Sequence, residues 1–303
     1  MKLKGYIKCP GSSVRLNQLL EDAEMEDDRA KNISGEPNEF QSYECLNHFR
    51  VPVITDIIRS LVIPLNSTGL DVGCGNGFVT KLLWKNTDKS IRITGMDISK
   101  EIIEYAKSNH QTDKIHFIRG DVNILPFNDQ SFDWVWSMDT IWPGPKKFGC
   151  PSEDPLPLIK EIHRVIKPGG SIFLSYWSSQ KLLPGYPLLE AKLNTSSSAT
   201  APFTESTRPE NHMMNAGKWL HNMNFRDIKT KTFIGNINPS LSKNDQKALK
   251  ILFQMLWDKS DSVLNEEERK LFGALTDEQS DQYILHNSNY CGFYTYTLFT
   301  GVK

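Results

Sequence analysis

The stretch LDVGCGNG, residues Leu70 to Gly77, places three glycines within five residues, directly after a short apolar segment. That segment, TGLDV, has the length and apolar character of a buried strand. Glycine lacks a Cβ, so it tolerates both left-handed backbone and the close approach of a ligand. The glycines therefore predict either a very tight turn or a surface on which a ligand lies.

Strand-like and helix-like segments alternate after the glycines. The segments IRITGMD, KIHFIRGD, SFDWVWSM and SIFLSYW are typical of buried strands. Between them lie helix-like segments, including SKEIIEYAKSNH, with Ser99 as its N-cap, and LPLIKEIHRVI. This alternation predicts a parallel sheet covered by helices on both faces.

Glycines or polar residues end four successive predicted strands. Asp97 ends the second strand, Asp121 the third and residues 137–139 the fourth. Ligands of open parallel sheets bind at the carboxyl ends of the strands. There Asp97 can accept hydrogen bonds from two ribose hydroxyls, and Asp121 from an exocyclic amine such as that of adenine. Ile98 and Val122 can sandwich a flat ring, so the pattern predicts a nucleoside site.

Two other nucleotide-binding motifs fit the glycine stretch less well. The dinucleotide fingerprint G-x-G-x-x-G requires glycine where this chain has Phe78. The P-loop G-x-x-x-x-G-K-[ST] is absent from the sequence. The motif alone leaves open a purely structural role for the glycines, because glycine is common in turns for its conformational freedom.

Taken in order, these motifs resemble those of the class I (Rossmann-like) S-adenosylmethionine-dependent methyltransferases, close to methyltransferase types 11 and 25. LDVGCGNG resembles their first motif, GMDIS the second, RGDVNILPF the adenine-contacting segment and FDWVWSM the fourth-strand motif. The resemblance covers residues 68–177 and weakens afterwards. It implies S-adenosylmethionine as cofactor. It also implies an α/β fold: a doubly wound, mostly parallel seven-stranded sheet with an antiparallel last strand, plus helical lid insertions.

The resemblance also assigns the donor-binding residues. It places Asp97 on the ribose and Asp121 on adenine, while Asp71 supports the loop or reaches the donor's ammonium through water. As a strand-end carboxylate facing a cleft, Asp97 is expected to contribute little to folding stability. No metal ligand is predicted. The predicted cofactor-binding residues are Asp71, Gly73, Cys74, Gly75, Gly77, Asp97, Ile98, Gly120, Asp121, Val122, Ser137 and Met138.

Asp139, Trp142 and His212 are the candidate catalytic and acceptor-site residues. A sulfonium methyl is already activated, so positioning and desolvation supply most of the rate enhancement. Asp139 lies where the reactive methyl is expected, and it is the first candidate base if the acceptor must lose a proton early. His212, after strand five, is the second. Trp142 either lines the acceptor pocket or packs in the core.

Composition limits the chemical class of the methyl acceptor. The 303 residues carry a net charge of −1 with no basic run, which gives no footprint for nucleic acid or a membrane surface. We predict a small-molecule acceptor in a mostly aromatic pocket built from Trp142, Trp177, Tyr186 and Phe203. The alternatives are methyl transfer to a protein partner and a non-catalytic donor-binding module. The oligomeric state stays open.

Cysteine usage and the first residues bear on the location of the protein. Five widely spaced cysteines without a C-x-x-C argue against a disulfide framework or a zinc site, and the first residues lack an apolar signal region. We therefore predict a cytoplasmic protein, with a helix over FRVPVITDIIRSLVIPL that ends before Pro64. The expected divisions are an N-terminal arm or lid (1–50), the donor-binding core (51–177), an insertion (178–215), a core continuation (216–238), a helical lid (239–288) and a final core strand (289–303).

Overall fold

A single seven-stranded sheet organises the computed structural model, which describes residues 39–204 and 207–303. The sheet order is 3-2-1-4-5-7-6, and β7 runs antiparallel to both of its neighbours. This confirms the predicted α/β sheet with an antiparallel last strand. The strands are β1 (Thr68–Val72), β2 (Arg92–Asp97), β3 (Ile115–Arg119), β4 (Phe132–Met138), β5 (Ile166–Lys181), β6 (Arg226–Ile237) and β7 (Gly292–Val302).

Helices cover both faces of the sheet. One begins at the capping residue that the sequence indicates, because Ser99 Oγ accepts a hydrogen bond from the backbone N–H of Ile102. The structure adds Asp154 as the cap of the helix before β5. The helices are α1 (Glu39–Arg59), α2 (Phe78–Asn86), α3 (Lys100–His110), α4 (Pro155–Val165), α5 (Pro187–Thr195), α6 (Ala201–Thr204), α7 (Ala216–Asn222), α8 (Lys243–Trp257) and α9 (Glu266–Thr276).

The central strand β4 divides the core in two. Trp134 and Trp136 pack into the cluster that contains buried side chains of α1 and α8. Val135, between them in sequence, packs into the opposite cluster with α4 and α7. Successive side chains of a strand point to opposite faces, so each layer of helices covers one set. The segment expected as a helical lid thus packs on the same core cluster as α1.

Helix α1 begins earlier and ends earlier than the sequence predicts. It runs from Glu39 to Arg59, so the expected boundary at residue 50 divides a continuous helix. Pro52 lies inside it and removes one backbone donor. The buried side chains of Val53, Ile54, Ile57 and Ile58 hold the helix on the core despite that loss. Residues 1–38 of the predicted arm lie outside the described residues.

Strand β5 is longer than predicted. The sequence indicates a strand that ends at Trp177, whereas β5 continues to Lys181 by pairing with β7. The register is irregular between Trp177 and Ser179, which is where the apolar pattern of the sequence breaks. The antiparallel partner therefore extends the strand beyond the point that the local pattern indicates.

Candidate active site

The three glycines after β1 serve three different needs. At Gly73, with φ at +75°, an added Cβ would lie 2.0 Å from Thr140 Oγ1. At Gly77, with φ at +80°, it would lie 2.6 Å from the Phe117 ring. At Gly75, with φ at +53°, it would meet no atom of the described residues within 4 Å. The turn and its packing explain Gly73 and Gly77, while Gly75 borders open space that a ligand can fill.

Asp97 holds the glycine turn in place. Its Oδ2 accepts a hydrogen bond from the backbone N–H of Gly75 at 3.1 Å, and its Oδ1 accepts one from Ser99 at 3.0 Å. The residue is 2% exposed. The expectation that Asp97 contributes little to stability is therefore wrong, because its removal leaves two backbone donors without their acceptor.

Two cavities meet at Gly73, which lines both. Together they follow the carboxyl ends of β1, β2 and β4. The Arg50 cavity is lined by residues that include Arg50, Asp71, Gly73, Gly75, Asn76 and Asp139. The Asp121 cavity is lined by residues that include Gly73, Asp97, Ile98, Gly120, Asp121 and Val122.

Most of the predicted donor-binding residues border these two cavities, and two do not. Cys74 and Met138 line the Arg50 cavity. Ser137 and Gly77 line neither: Ser137 Oγ donates to the Val72 carbonyl at 3.1 Å, and Gly77 packs on Phe117. These two residues therefore contribute to packing between elements of the fold and not to the walls of the two cavities.

Burial changes the proton affinity of two groups in the Arg50 cavity. It raises the pKa of the Cys74 thiol well above its usual value, so the thiol stays protonated at neutral pH. Burial also raises the pKa of Asp71 to about 7, with a smaller contribution from the charge of Asp97. The Thr80 hydroxyl, which donates to Asp71 at 2.6 Å, opposes this rise.

Asp139 lies in a buried network that includes two residues the sequence analysis missed. Its Oδ2 accepts from the Tyr296 hydroxyl at 2.7 Å and from Arg50 Nη1 at 3.5 Å, while its Oδ1 accepts from the Trp177 backbone N–H at 2.7 Å. Arg50 also donates to Tyr296 at 2.8 Å. Burial raises the pKa of Asp139 to about 6, against the lowering effects of the guanidinium and the two other donors.

Helix α1 connects this network to the glycine turn. Arg50 Nη2 donates to Asn47 Oδ1 at 2.7 Å, and Asn47 Nδ2 donates to Asn76 Oδ1 at 3.3 Å. Asn47 and Arg50 are three residues apart, so they lie on one face of the helix. The sequence NHFR could have indicated this polar contact, because it places two polar residues at that spacing beside the apolar face of the helix.

Trp142 and His212 lie together, but outside the Arg50 cavity. They line a third cavity, the Trp142 cavity, whose other lining residues include Trp177, Ser179, Gln180, Asn194 and Met255. Trp177 and Met255 line the Arg50 cavity as well, so the two cavities are neighbours. Burial lowers the pKa of His212, and its Nδ1 accepts from the Met214 backbone N–H at 3.2 Å. The neutral ring therefore carries its proton on Nε2.

The Trp142 cavity is more polar than the predicted aromatic pocket. Hydroxyl and amide side chains make up much of its lining, whereas Tyr186 and Phe203 line neither it nor the Arg50 cavity. Phe203 instead packs edge-on against His212, with ring centroids 5.0 Å apart. The prediction of a mostly aromatic lining is therefore wrong, because two of the four rings pack elsewhere.

Comparison with known proteins identifies the class of this domain. Residues 70–174 match a family model described as "Methyltransferase domain". One chain of a solved Haloferax volcanii complex, between the Trm112 methyltransferase activator and a methyltransferase, shares the fold with a TM-score of 0.52 and 17% identity, covering 87% of this chain and 94% of that one. Residues 70–174 therefore carry the sequence of a class I S-adenosylmethionine-dependent methyltransferase domain.

The similar sequences include proteins named demethylmenaquinone methyltransferase. The demethylmenaquinone methyltransferase of Staphylococcus haemolyticus is 34% identical over 129 residues, which are 42% of this chain and 50% of that protein. That of Lysinibacillus sphaericus is 33% identical over 132 residues, which are 43% and 53% of the two proteins. This chain thus spans about half the length of these relatives.

Neither a metal-binding cluster nor a membrane-spanning helix occurs in the described part of the chain. Across residues 39–204 and 207–303, no group of three or more His, Cys, Asp or Glu side chains is arranged to hold a metal ion. No helix within the same ranges has both the length and the apolar character to cross a membrane.

Proposed function

We propose that the protein transfers a methyl group from S-adenosylmethionine to a small-molecule acceptor by in-line displacement. The observation that carries the proposal is the open space at Gly75, a residue that lines the Arg50 cavity and donates its backbone N–H to Asp97 of the neighbouring Asp121 cavity. In the same region, Asn76 Nδ2 and Arg50 Nε are buried without a hydrogen-bond partner among the described residues. A zwitterionic nucleoside ligand offers both the bulk and the acceptor atoms that this region lacks.

The chain's own residues bind and orient the two reactants. Asp97, Asp121 and Val122 hold the adenosine end in the Asp121 cavity, and the turn around Gly75 holds the amino-acid end. When bound, the donor supplies an activated methyl group. Met138 and Trp177 exclude water around that methyl, which favours displacement at carbon over side reactions.

The acceptor occupies the Arg50 cavity near Asp139 and extends past Trp177 into the Trp142 cavity. Two features support a small molecule. Helices α5 and α8 contribute residues to the Trp142 cavity, and its hydroxyl and amide groups suit a ligand with polar substituents. The demethylmenaquinone methyltransferases among the relatives are named for a small-molecule acceptor.

A methyl-transfer screen tests this proposal directly. The protein and S-adenosylmethionine labelled in its methyl group are incubated in three parallel reactions. The first contains a low-molecular-weight cell extract, the second lysate proteins and the third nucleic acids. We expect label only in the small-molecule fraction, and none with Asp97→Asn. Label in protein or nucleic acid alone would overturn the acceptor class, and donor binding without any transfer would favour a non-catalytic module.

Alanine at Gly75 is expected to separate ligand binding from folding. The left-handed φ costs a non-glycine residue about 1–2 kcal/mol. The new Cβ meets none of the described protein atoms within 4 Å but enters the space proposed for the donor. Because the added methyl group occupies space proposed for the ligand, we expect a loss of S-adenosylhomocysteine affinity of at least about tenfold, which corresponds to about 1.4 kcal/mol. Titration calorimetry measures the affinity and chemical denaturation the stability.

Gly169→Ala is the matched control. Gly169 also has a left-handed φ, +78°, with none of the atoms that the structure describes within 4 Å of an added Cβ, but it lines neither cavity. Both variants should lose similar stability, and only Gly75→Ala should lose affinity. Unchanged affinity in Gly75→Ala would place the donor elsewhere.

Asp139 is proposed as the base, and its pKa of about 6 gives the expected pH dependence. The carboxylate is ionised above that pH and protonated below it. With the acceptor from the screen, the transfer rate should fall about tenfold per pH unit below pH 6, if proton abstraction limits the rate. Asp139→Asn should lose about 10²–10⁴-fold in rate and retain S-adenosylhomocysteine affinity. A normal rate in that variant would show that transfer needs no base here.

A further inference from the structure

The amino-acid end of the proposed donor presents a carboxylate to its binding site. Arg50 is the one cationic residue that lines the Arg50 cavity within the described part of the chain. The acidic residues Asp71 and Asp139 line the same cavity. A ligand carboxylate would be repelled by both acids, so Arg50 is the group there that can neutralise it.

The order of the cavities directs that carboxylate toward α1. With the adenosine end near Asp97 and Asp121, the rest of the donor passes Gly73, the residue shared by the two cavities. Beyond that point the walls are the glycine turn, Asn76 and Arg50. The chain Arg50–Asn47–Asn76 holds the guanidinium and the turn in a fixed relation, with hydrogen bonds of 2.7 and 3.3 Å.

Arg50 has donor capacity left over. Its Nε has no hydrogen-bond partner among the residues that the structure describes, and its contact with Asp139 is long, at 3.5 Å. The side chain is 16% exposed, whereas that of Asp139 is 2% exposed. A planar guanidinium with five donors can bind a second carboxylate while it keeps Asn47 and Tyr296 as partners.

We infer that Arg50 binds the carboxylate of the donor's amino-acid end, so that helix α1 forms one wall of the donor site. This inference rests on the proposed function. It assigns a binding role to a residue 20 positions before the first glycine motif. It also places one guanidinium in contact with both the donor and Asp139.

Two ligands that differ only in the carboxylate test this assignment. S-adenosylhomocysteine and its decarboxylated analogue are titrated into wild type, Arg50→Lys and Arg50→Gln. We expect Arg50→Gln to weaken S-adenosylhomocysteine binding about 10–100-fold, the value of a charge-assisted hydrogen bond pair. Binding of the decarboxylated analogue should change less than about threefold, which is under 0.7 kcal/mol. The affinity of Arg50→Lys for S-adenosylhomocysteine should lie between those of wild type and Arg50→Gln.

Two further variants control for folding. Arg50→Gln leaves Asp139 buried without its cation, so Arg50→Gln combined with Asp139→Asn removes both charges together. Arg59→Gln, in the exposed last turn of the same helix, should bind both ligands like wild type. Equal weakening of both ligands in the Arg50 variants, or no weakening of either, would overturn the inference and leave the proposed function standing. If the wild-type protein binds neither ligand, both the inference and the proposed function are overturned.

Discussion

Asp97→Ala is expected to lower the affinity for S-adenosylhomocysteine by at least about 100-fold. The carboxylate is the proposed acceptor for two ribose hydroxyls, and each hydrogen bond to a charged group contributes about 1.5–3 kcal/mol. The same side chain holds the Gly75 and Ser99 backbone donors, so its removal also loosens the turn against which the ligand lies. Calorimetric titration of the purified variant measures the loss.

Stability measurements separate the two contributions of Asp97. Asp97→Ala should lower the free energy of unfolding by about 1–3 kcal/mol for each buried donor left unpaired. Asp97→Asn keeps one acceptor oxygen and should lose less stability, but most of the affinity. Asp113→Asn, an exposed carboxylate after α3, is the control that should change neither. A folded Asp97→Asn with wild-type affinity would show that the ribose lies elsewhere.

The sheet could be predicted because its strands are local apolar patterns that follow one another in chain order. The positions of Gly73, Asp97 and Asp121 follow from that order, since the carboxyl ends of parallel strands share one edge. The different reasons for the three glycines could not be predicted. They depend on what each Cβ would meet, such as Thr140, which follows β4 and lies 67 residues further along the chain.

The rest of the site depends on contacts between distant segments. Arg50 and Tyr296 are 246 residues apart and meet because β7 inserts between β5 and β6 while α1 packs on that face. Neither residue belongs to a motif, and both are buried polar groups, which sequence patterns alone do not distinguish from core residues. Trp142 lies in a different cavity from Asp139 because the chain turns sharply at Asp139, where φ is +52°.

The ionisation of Asp71 is expected to make the unliganded protein less stable as the pH rises. Its pKa is about 7 in the folded protein and 3.8 as the reference value, so the folded state holds the extra proton between those values. The contribution of Asp71 to stability should therefore be largest below about pH 4, fall as the pH rises to about 7 and then level off. The shift of about 3 units corresponds to about 4 kcal/mol at 1.36 kcal/mol per unit.

Asp71→Asn should remove this dependence. At pH 8 the variant should be more stable than wild type by about 2–4 kcal/mol, and the difference should vanish near pH 4. Denaturant unfolding across this pH range measures it. Asp133→Asn gives the opposite sign, because the ammonium of Lys167 and the Thr68 backbone N–H outweigh burial and lower the pKa of Asp133. That variant should lose stability at neutral pH and little at low pH. If Asp71→Asn is less stable than wild type at pH 8, then Asp71 is ionised at lower pH than its burial implies, and the Thr80 hydroxyl outweighs desolvation.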